Sequence, residues 1–381
     1  MNTKMSFVKH DDTLKHFDEE QQEALRSIRV SRIILPVLLG IVAVGYLLWR
    51  QFDPHEFAKI DWTAHTLFWI IACVFILVVR HLAYATRLHI LSEGEFGWRK
   101  CIELIFIWEF SSAVSPTAVG GSAVAFFVLA QEKLSTAKTA TIVLYTIVLD
   151  SFFFIGTLPV LFLFFGSNMI RPGVQTLDDI GAWGFYFIFA YSLMAIYSSI
   201  FYYGLFVNPE QMKRLLVGAT RLGFLKRYRR KAVALGNEMV LASNHLKQQD
   251  LRFHLSAFLA TATAWSCRFI LLNCLIIAFI TALPLDFWTQ FELYARLETM
   301  FVIIAFSPTP GGAGFVEILF GGFLSDYVSN PTYATLISTI WRLLSYYTYL
   351  LAGAIVIPNW IREILNERRR LRQEMAEEVA G

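Results

Sequence analysis

The sequence predicts an all-α integral membrane protein, with six transmembrane helices and two re-entrant broken-helix hairpins arranged as inverted repeats. Three observations predict it: an apolar composition, six long apolar runs, and two further runs that proline and glycine interrupt. Of the 381 residues, 56% are hydrophobic and only 17% are charged, whereas an ordinary soluble domain is about 25% charged. This composition excludes a disordered chain, a nucleic-acid-binding domain and an ordinary cytoplasmic enzyme.

Six apolar runs are long enough to cross a bilayer, which takes about 20 residues of helix. They cover residues 33–49, 66–85, 140–165, 183–206, 255–283 and 333–357. The N-terminal segment 1–32 is polar and amphipathic. We therefore expect no cleaved signal peptide, and a helix that lies along the cytoplasmic surface of the membrane.

Two other apolar runs, 101–130 and 298–324, are each cut near the middle. The cuts read SPTAVGG at 115–121 and SPTPGGAG at 307–314. Each half has about 14 residues and makes roughly 20 Å of helix, which is too short to cross the hydrocarbon core. We expect both runs to form re-entrant hairpins, which enter the membrane from opposite faces.

The basic residues set the expected topology, because cytoplasmic loops of membrane proteins are rich in lysine and arginine. The segments expected to be cytoplasmic are 1–32, 80–100, 131–139, 207–253 and 358–381, and they hold 27 of the 33 basic residues. Both termini are then cytoplasmic, in the cytoplasmic (inner) membrane. The expected organisation is an N-terminal segment (1–32), a first repeat (33–206), a basic cytoplasmic loop (207–254), second-repeat helices (255–357) and a charged tail (358–381), with the repeat boundary near 183–207.

The two halves of the chain resemble each other in sequence. Glu103 begins ELIFIWEFSSAVSPTAVGG, and Glu298 begins ETMFVIIAFSPTPGG. Because the two hairpins enter from opposite faces, the halves are inverted repeats. Transporters with inverted repeats bind their substrates near the membrane midplane, where broken helices end.

The two breaks predict a site for an anion. A hydroxyl residue followed by proline is a good helix start, and glycine leaves the first N–H groups open to a ligand. The candidate substrate-binding residues at the breaks are Ser115, Pro116, Gly120, Gly121, Ser307, Thr309, Pro310, Gly311, Gly312 and Gly314. The alternative is that the glycines only allow close packing of helices.

Three ionisable residues fall near the centres of their expected spans: Asp150, Arg268 and Arg342. The two arginines are candidates to clamp a phosphate, because a guanidinium presents forked donors. Asp150 is a candidate to carry a proton, to bind a cationic headgroup, or to pair with either arginine. A permanent pair that only holds helices together is the alternative. Glu109 and Glu317, on the hairpin arms, are candidates for the cavity wall.

The segment SPTPGGAGFVE (307–317) and the following TIWRLLSYYTYLLAG (339–353) resemble the lysylphosphatidylglycerol synthase transmembrane, or flippase-like, family. SPTAVGG, with Arg80 and Arg87 before it, is similar to the first repeat of that family. The resemblance implies an inner-membrane protein with re-entrant helices, and some members translocate aminoacylated phosphatidylglycerol. Two features differ: we expect no soluble aminoacyl-transfer domain, and 144–149 lacks the arginine that often precedes the residue aligned with Asp150.

We therefore expect a flippase-like transporter that moves an anionic or aminoacylated phospholipid, or a lipid-linked headgroup, and that has no catalytic domain. The expected partners are this lipid and a lipid-modifying enzyme, and we expect no cofactor, metal or nucleic acid. A channel or small-solute transporter is an alternative. A membrane enzyme acting on lipid phosphates is another, although the sequence has no HExxH, GxSxG or paired Asp-rich metal motif.

Overall fold

The structure, a computed structural model, describes residues 54–58, 62–114, 118–132, 134–170, 181–305 and 315–380, and every regular element in these ranges is a helix. In chain order the α-helices are α1 (Pro54–Ala58), α2 (Ala64–Leu91), α3 (Trp98–Val114), α4 (Ala118–Ala130), α5 (Thr136–Phe165), α6 (Gly181–Tyr202), α7 (Pro209–Ala219), α8 (Arg229–Leu246), α9 (Leu251–Phe279), α10 (Phe287–Ala305), α11 (Phe315–Phe323), α12 (Pro331–Arg342) and α13 (Thr348–Ala380). Short 3₁₀ or π turns cover Gly166–Met169, Tyr203–Val207, Gly223–Tyr228 and Leu343–Tyr347.

Five helical segments of the described chain are long and apolar enough to cross a membrane. They are Ala64–Leu91, Thr136–Met169, Gly184–Val207, Leu251–Phe279 and Pro331–Ile364. The all-helical class is thus confirmed, and five of the six apolar runs in the sequence form such helices. The other predicted run, 33–49, and the predicted surface segment 1–32 lie outside the described residues.

Helices α2 and α9 pack side by side and antiparallel along much of their length. The Cys73 thiol of α2 donates to the Leu271 carbonyl of α9 over 3.4 Å. Further along α2, the Arg87 guanidinium donates to the Thr261 hydroxyl over 3.3 Å. Because residue numbers rise along α2 while they fall along α9, these two contacts show that the helices run in opposite directions.

Helix α2 is longer than the sequence predicts, since the expected span ends at residue 85 and the helix continues to Leu91. Arg80 and Arg87 were assigned to a cytoplasmic segment, but they lie inside this helix and are only 1% and 6% exposed. The helix tolerates both charges because each arginine contacts a carboxylate on a neighbouring helix.

Two helix pairs, α3 with α4 and α10 with α11, correspond to the two interrupted runs, and the helices of each pair pack together. At the start of α3, Lys100 lies 3.0 Å from Glu132, just after α4. In α10, Arg296 lies 2.6 Å from Asp326, just after α11. The second helix of each pair therefore returns toward the first half of its partner. The breaks, 115–117 and 306–314, lie outside the described residues.

The buried apolar residues form two main clusters. One joins the second halves of α5 and α9 to α10, α11 and α12. The other joins the second half of α2 and the first half of α5 to α3 and α8. The two clusters lie at different positions along the same long helices. Polar residues separate one cluster from the other.

One face of α2 is apolar and exposed. Leu67, Ile71, Phe75, Val78 and Leu82 are all at least 42% exposed, and their spacing of three or four residues keeps them on one side of the helix. So large an apolar stripe is stable in contact with lipid rather than water.

A charged cluster joins three segments at one end of the bundle. Glu93, in the loop after α2, lies 3.3 Å from the Lys138 ammonium of α5 and 2.8 Å from the His245 ring of α8. Partial burial alone raises the pKa of Glu93, but Lys138, Gln249 and His245 together lower that pKa below its ordinary value. Glu93 therefore ties the ends of α2, α5 and α8 together as an anion.

Candidate functional site

A polar layer crosses the bundle between the two apolar clusters. It consists of Arg80 and Arg87 of α2, Glu109 of α3, Asp150 of α5 and Arg268 of α9. We call these five residues the arginine layer. They come from four different helices, so only the folded bundle brings their charges together.

Arg80 forms the most buried ion pair of the layer. Its Nη2 atom lies 2.7 Å from Oε2 of Glu109, and the side chain is 1% exposed. Its guanidinium carbon also lies 5.2 Å from the ring centres of Tyr84 and Tyr349. The aromatic faces and the carboxylate together replace the water that a charged group loses on burial.

Arg268 shares the same carboxylate but is more accessible. Its Nη2 atom lies 3.7 Å from Glu109, and its side chain remains 18% exposed. The guanidinium carbon lies 4.9 Å from the ring centre of Trp265 and 4.8 Å from that of Phe301. The two rings hold the cation in a fixed position while part of it stays open to a ligand.

Asp150, whose partner the sequence leaves open, pairs with Arg87, an arginine that was not among the candidates for this pair. Arg87 Nη1 lies 2.5 Å from Asp150 Oδ1. The same oxygen accepts the indole N–H of Trp265 over 2.9 Å. Arg87 lies two helical turns after Arg80 on the same face of α2. This position brings the Arg87 guanidinium next to the Asp150 carboxylate.

The arginine layer has more positive than negative charge, with three guanidinium groups and two carboxylates. Arginine stays protonated in proteins, so the excess cannot be removed by loss of a proton. In the low-dielectric interior an uncompensated charge is costly, and an anion that reaches Arg268 relieves this cost. The layer is therefore suited to a phosphate or carboxylate.

Arg342 is the last residue of α12. It is 3% exposed, and its guanidinium carbon is 5.9 Å from the ring centre of Tyr346. The Tyr346 hydroxyl donates to the carbonyl oxygen of Ala113 over 3.2 Å. Tyr346 therefore links Arg342 to the last described turn of α3.

The structure describes only some of the other predicted site residues. Gly120 and Gly121 lie in the first turn of α4, which begins at Ala118. Glu317 lies in the first turn of α11, but its side chain is not described. The remaining break residues lie outside the described part of the chain: Ser115, Pro116, Ser307, Thr309, Pro310, Gly311, Gly312 and Gly314. Their proposed contact with a substrate stays a prediction.

Three residues of the site are not among the candidates predicted from the sequence: Arg80, Arg87 and Trp265. The seven-residue spacing of the two arginines places them on one face of a helix, which could have identified them. No pattern identified Trp265, because its role depends on Asp150 from another helix. Among the described residues, no group of three or more His, Cys, Asp or Glu side chains could hold a metal ion.

The chain is similar in sequence to known membrane proteins. Residues 33–353 match the family described as the lysylphosphatidylglycerol synthase TM region. A protein of Archaeoglobus fulgidus, named UPF0104 membrane protein, is 24% identical over 332 residues, covering 84% of this chain and 94% of its own length. No solved structure matches the chain significantly.

Proposed function

The chain belongs to the lysylphosphatidylglycerol synthase TM region family, and from this premise we propose that it is a flippase-like transporter. Its substrate is an anionic or aminoacylated phospholipid, or a lipid-linked headgroup, which it moves across the cytoplasmic membrane. The protein itself catalyses no bond formation. A lipid-modifying enzyme supplies the substrate and is the expected partner.

The position of Arg268 is the observation that carries this proposal. Its guanidinium packs against two adjacent aromatic rings and is partly exposed, and it lies 3.7 Å from the Glu109 carboxylate. Arg80 already binds that carboxylate at 2.7 Å. A phosphate that approaches Arg268 therefore gains a charge-assisted contact without breaking the shorter ion pair.

The helix pairs support a re-entrant arrangement with inverted repeats. The contact between Lys100 and Glu132 lies at the end of the bundle that carries the basic helices α7 and α8. The other pair begins with α10, which follows the opposite end of α9, where Phe279 meets Trp62 of the chain before α2. We propose that the first pair enters from the cytoplasm and the second from outside, with six spans and both termini cytoplasmic.

The exposed face of α2 supports a lipid rather than a small solute as the substrate. Its apolar stripe lies on the helix that carries Arg80 and Arg87, so acyl chains can remain in the bilayer beside the layer. Only the charged headgroup then needs to enter the protein. Because the acyl chains stay in the bilayer, transport avoids the free-energy cost of taking the whole lipid out of the membrane.

A flux measurement tests the proposal. The full chain is reconstituted in vesicles with phosphatidylglycerol that carries a fluorescent nitrobenzoxadiazole label, and dithionite reports the label that reaches the outer leaflet. We expect Arg268→Gln to lower the rate at least tenfold with an unchanged melting temperature. Arg362→Gln, at an exposed arginine of α13, is the matched control and should transport normally. Wild-type flux in Arg268→Gln contradicts the proposal.

A further inference from the structure

Glu298 of α10 is fully buried. Its Oε1 atom accepts a hydrogen bond from the Thr157 hydroxyl of α5. Its Oε2 atom is also buried and accepts no hydrogen bond of good geometry within the described part of the chain. The Tyr294 hydroxyl, one turn earlier on α10, is the further donor that lies beside the carboxyl group. An ionised carboxylate needs several donors around both oxygens, and this environment supplies too few.

The charged groups on α10 and α9 do not compensate Glu298. On its own helix, Arg296 is bound to Asp326 and Glu292, each at 2.6 Å. On α9, the carboxylate that Arg268 contacts within the described residues is Glu109, at 3.7 Å, and not Glu298. The nearby titratable groups without a formal positive charge are the Tyr294 hydroxyl of α10, 3.2 Å from the Ser266 hydroxyl, and the Cys267 thiol of α9.

The other helices packed against α10 bring no cation to Glu298 either, as far as their side chains are described. On α5, Asp150 is bound by Arg87. On α6, the Tyr191 hydroxyl donates to the carbonyl oxygen of Ile155 over 3.3 Å. The Gly166–Met169 turn has no titratable residue, and on α11 the acid is Glu317, whose side chain is not described.

We propose that Glu298 is a proton-binding site of the transport cycle. In the described conformation it is a neutral acid, because an unpaired carboxylate in the membrane interior is strongly disfavoured. When α10 and α11 move and water reaches the carboxyl, its O–H bond breaks and the proton passes to water. Proton uptake on one side and release on the other then couple lipid movement to the proton gradient. This coupling rests on the proposed transport function, whereas the protonation of Glu298 does not.

Infrared spectroscopy of the full chain in phosphatidylglycerol bilayers tests the protonation directly. At pH 7 we expect a carbonyl band of a protonated carboxyl group, which Glu298→Gln removes because the amide has no such band. Glu292→Gln is the matched control, since Glu292 lies on the same helix but is paired with Arg296, and it should keep the band. Equal bands in wild type and Glu298→Gln overturn the proposal.

A second variant guards against misfolding of Glu298→Gln. Thr157→Val removes the hydroxyl that donates to Glu298 and leaves the carboxyl in place. In the folded variant the band should shift in frequency, because its carbonyl loses a hydrogen bond. A band that does not move overturns its assignment to Glu298.

The coupling is tested with labelled phosphatidylglycerol in vesicles that carry a pH gradient. Wild-type flux should change several-fold with the gradient, and Glu298→Gln flux should not respond. A wild-type rate that ignores the gradient, or a variant rate that follows it, overturns the coupling. If the wild type moves no labelled lipid, the transport function and its coupling both fail, while the infrared band still decides whether Glu298 holds a proton.

Discussion

The indole N–H of Trp265 donates to Asp150 over 2.9 Å. The same ring faces Arg268, whose guanidinium carbon lies 4.9 Å from the ring centre. Trp265 thus joins the two ion pairs of the arginine layer, one through its N–H group and the other through its π face. Its two roles can be separated by substitution.

Trp265→Phe keeps an aromatic face under Arg268 and removes the hydrogen bond to Asp150. We expect a loss of about 1.5–3 kcal/mol in unfolding free energy, typical of a hydrogen bond to a charged group, and retained lipid binding. Trp265→Ala also removes the π face and should weaken binding of labelled phosphatidylglycerol. Equal binding by the Phe and Ala variants contradicts a role for the ring in placing Arg268.

Asp150→Asn removes the carboxylate that compensates Arg87. Breaking a buried ion pair costs about 3–5 kcal/mol, and we expect the lower end because Asp150 is 29% exposed. The double variant Asp150→Asn, Arg87→Gln should recover most of the melting temperature, since it leaves no unpaired charge. A double variant no more stable than the single one shows that the two charges do not stabilise each other.

Gly353 of α13 packs directly on α3. A Cβ atom at this position lies 2.5 Å from the Phe110 side chain, so Gly353→Ala forces the two helices apart. We expect it to lower the unfolding free energy by about 1–3 kcal/mol. Gly156→Ala, at a helical glycine with nothing within 4 Å, is the control and should not be destabilised. The loss should shrink when Phe110→Leu is added.

Single cysteines test which ends of the bundle face outward. Leu285→Cys, at an exposed position before α10, should react with an impermeant thiol reagent in intact cells. Lys226→Cys, at an exposed position before α8, should react only after the cells are opened. Labelling of Lys226→Cys in intact cells rules out the proposed topology.

The Glu93 cluster predicts a loss of stability in acid. The pKa of Glu93 is lowered in the folded chain, so its contribution is present above the ordinary value near 4.5 and is lost as the pH falls through the lowered pKa. We expect Glu93→Gln to have a lower melting temperature than the wild type at pH 7. This difference should disappear in strong acid, and a constant difference across pH contradicts the prediction.

The sequence predicts the helices of this protein better than the contacts between them. Hydropathy finds the five described spans because an apolar run of about 20 residues has few other stable structures. Proline and glycine mark where the interrupted runs break. The sequence also identifies three charged residues of the layer, because a charge inside an apolar run is rare. They are Asp150, Arg268 and Glu109.

The partners of these charges could not be found in the same way. Arg80 and Arg87 stand near the end of an apolar run, so a count of basic residues assigned them to the cytoplasmic side. Whether a helix ends before an arginine or continues past it depends on a carboxylate from another helix. These carboxylates are Glu109 and Asp150. How their helices align against α2 cannot be read from a single sequence pattern.

Glu109 lies within reach of two guanidinium groups, and this sharing limits how tightly the proposed site can hold an anion. When an anion leaves Arg268, the carboxylate oxygen 3.7 Å away remains as a resident counterion. The arginine is therefore never left bare, and departure of the anion is less costly than from an isolated cation. For the proposed transport function, this counterion favours rapid release of the anion over tight binding.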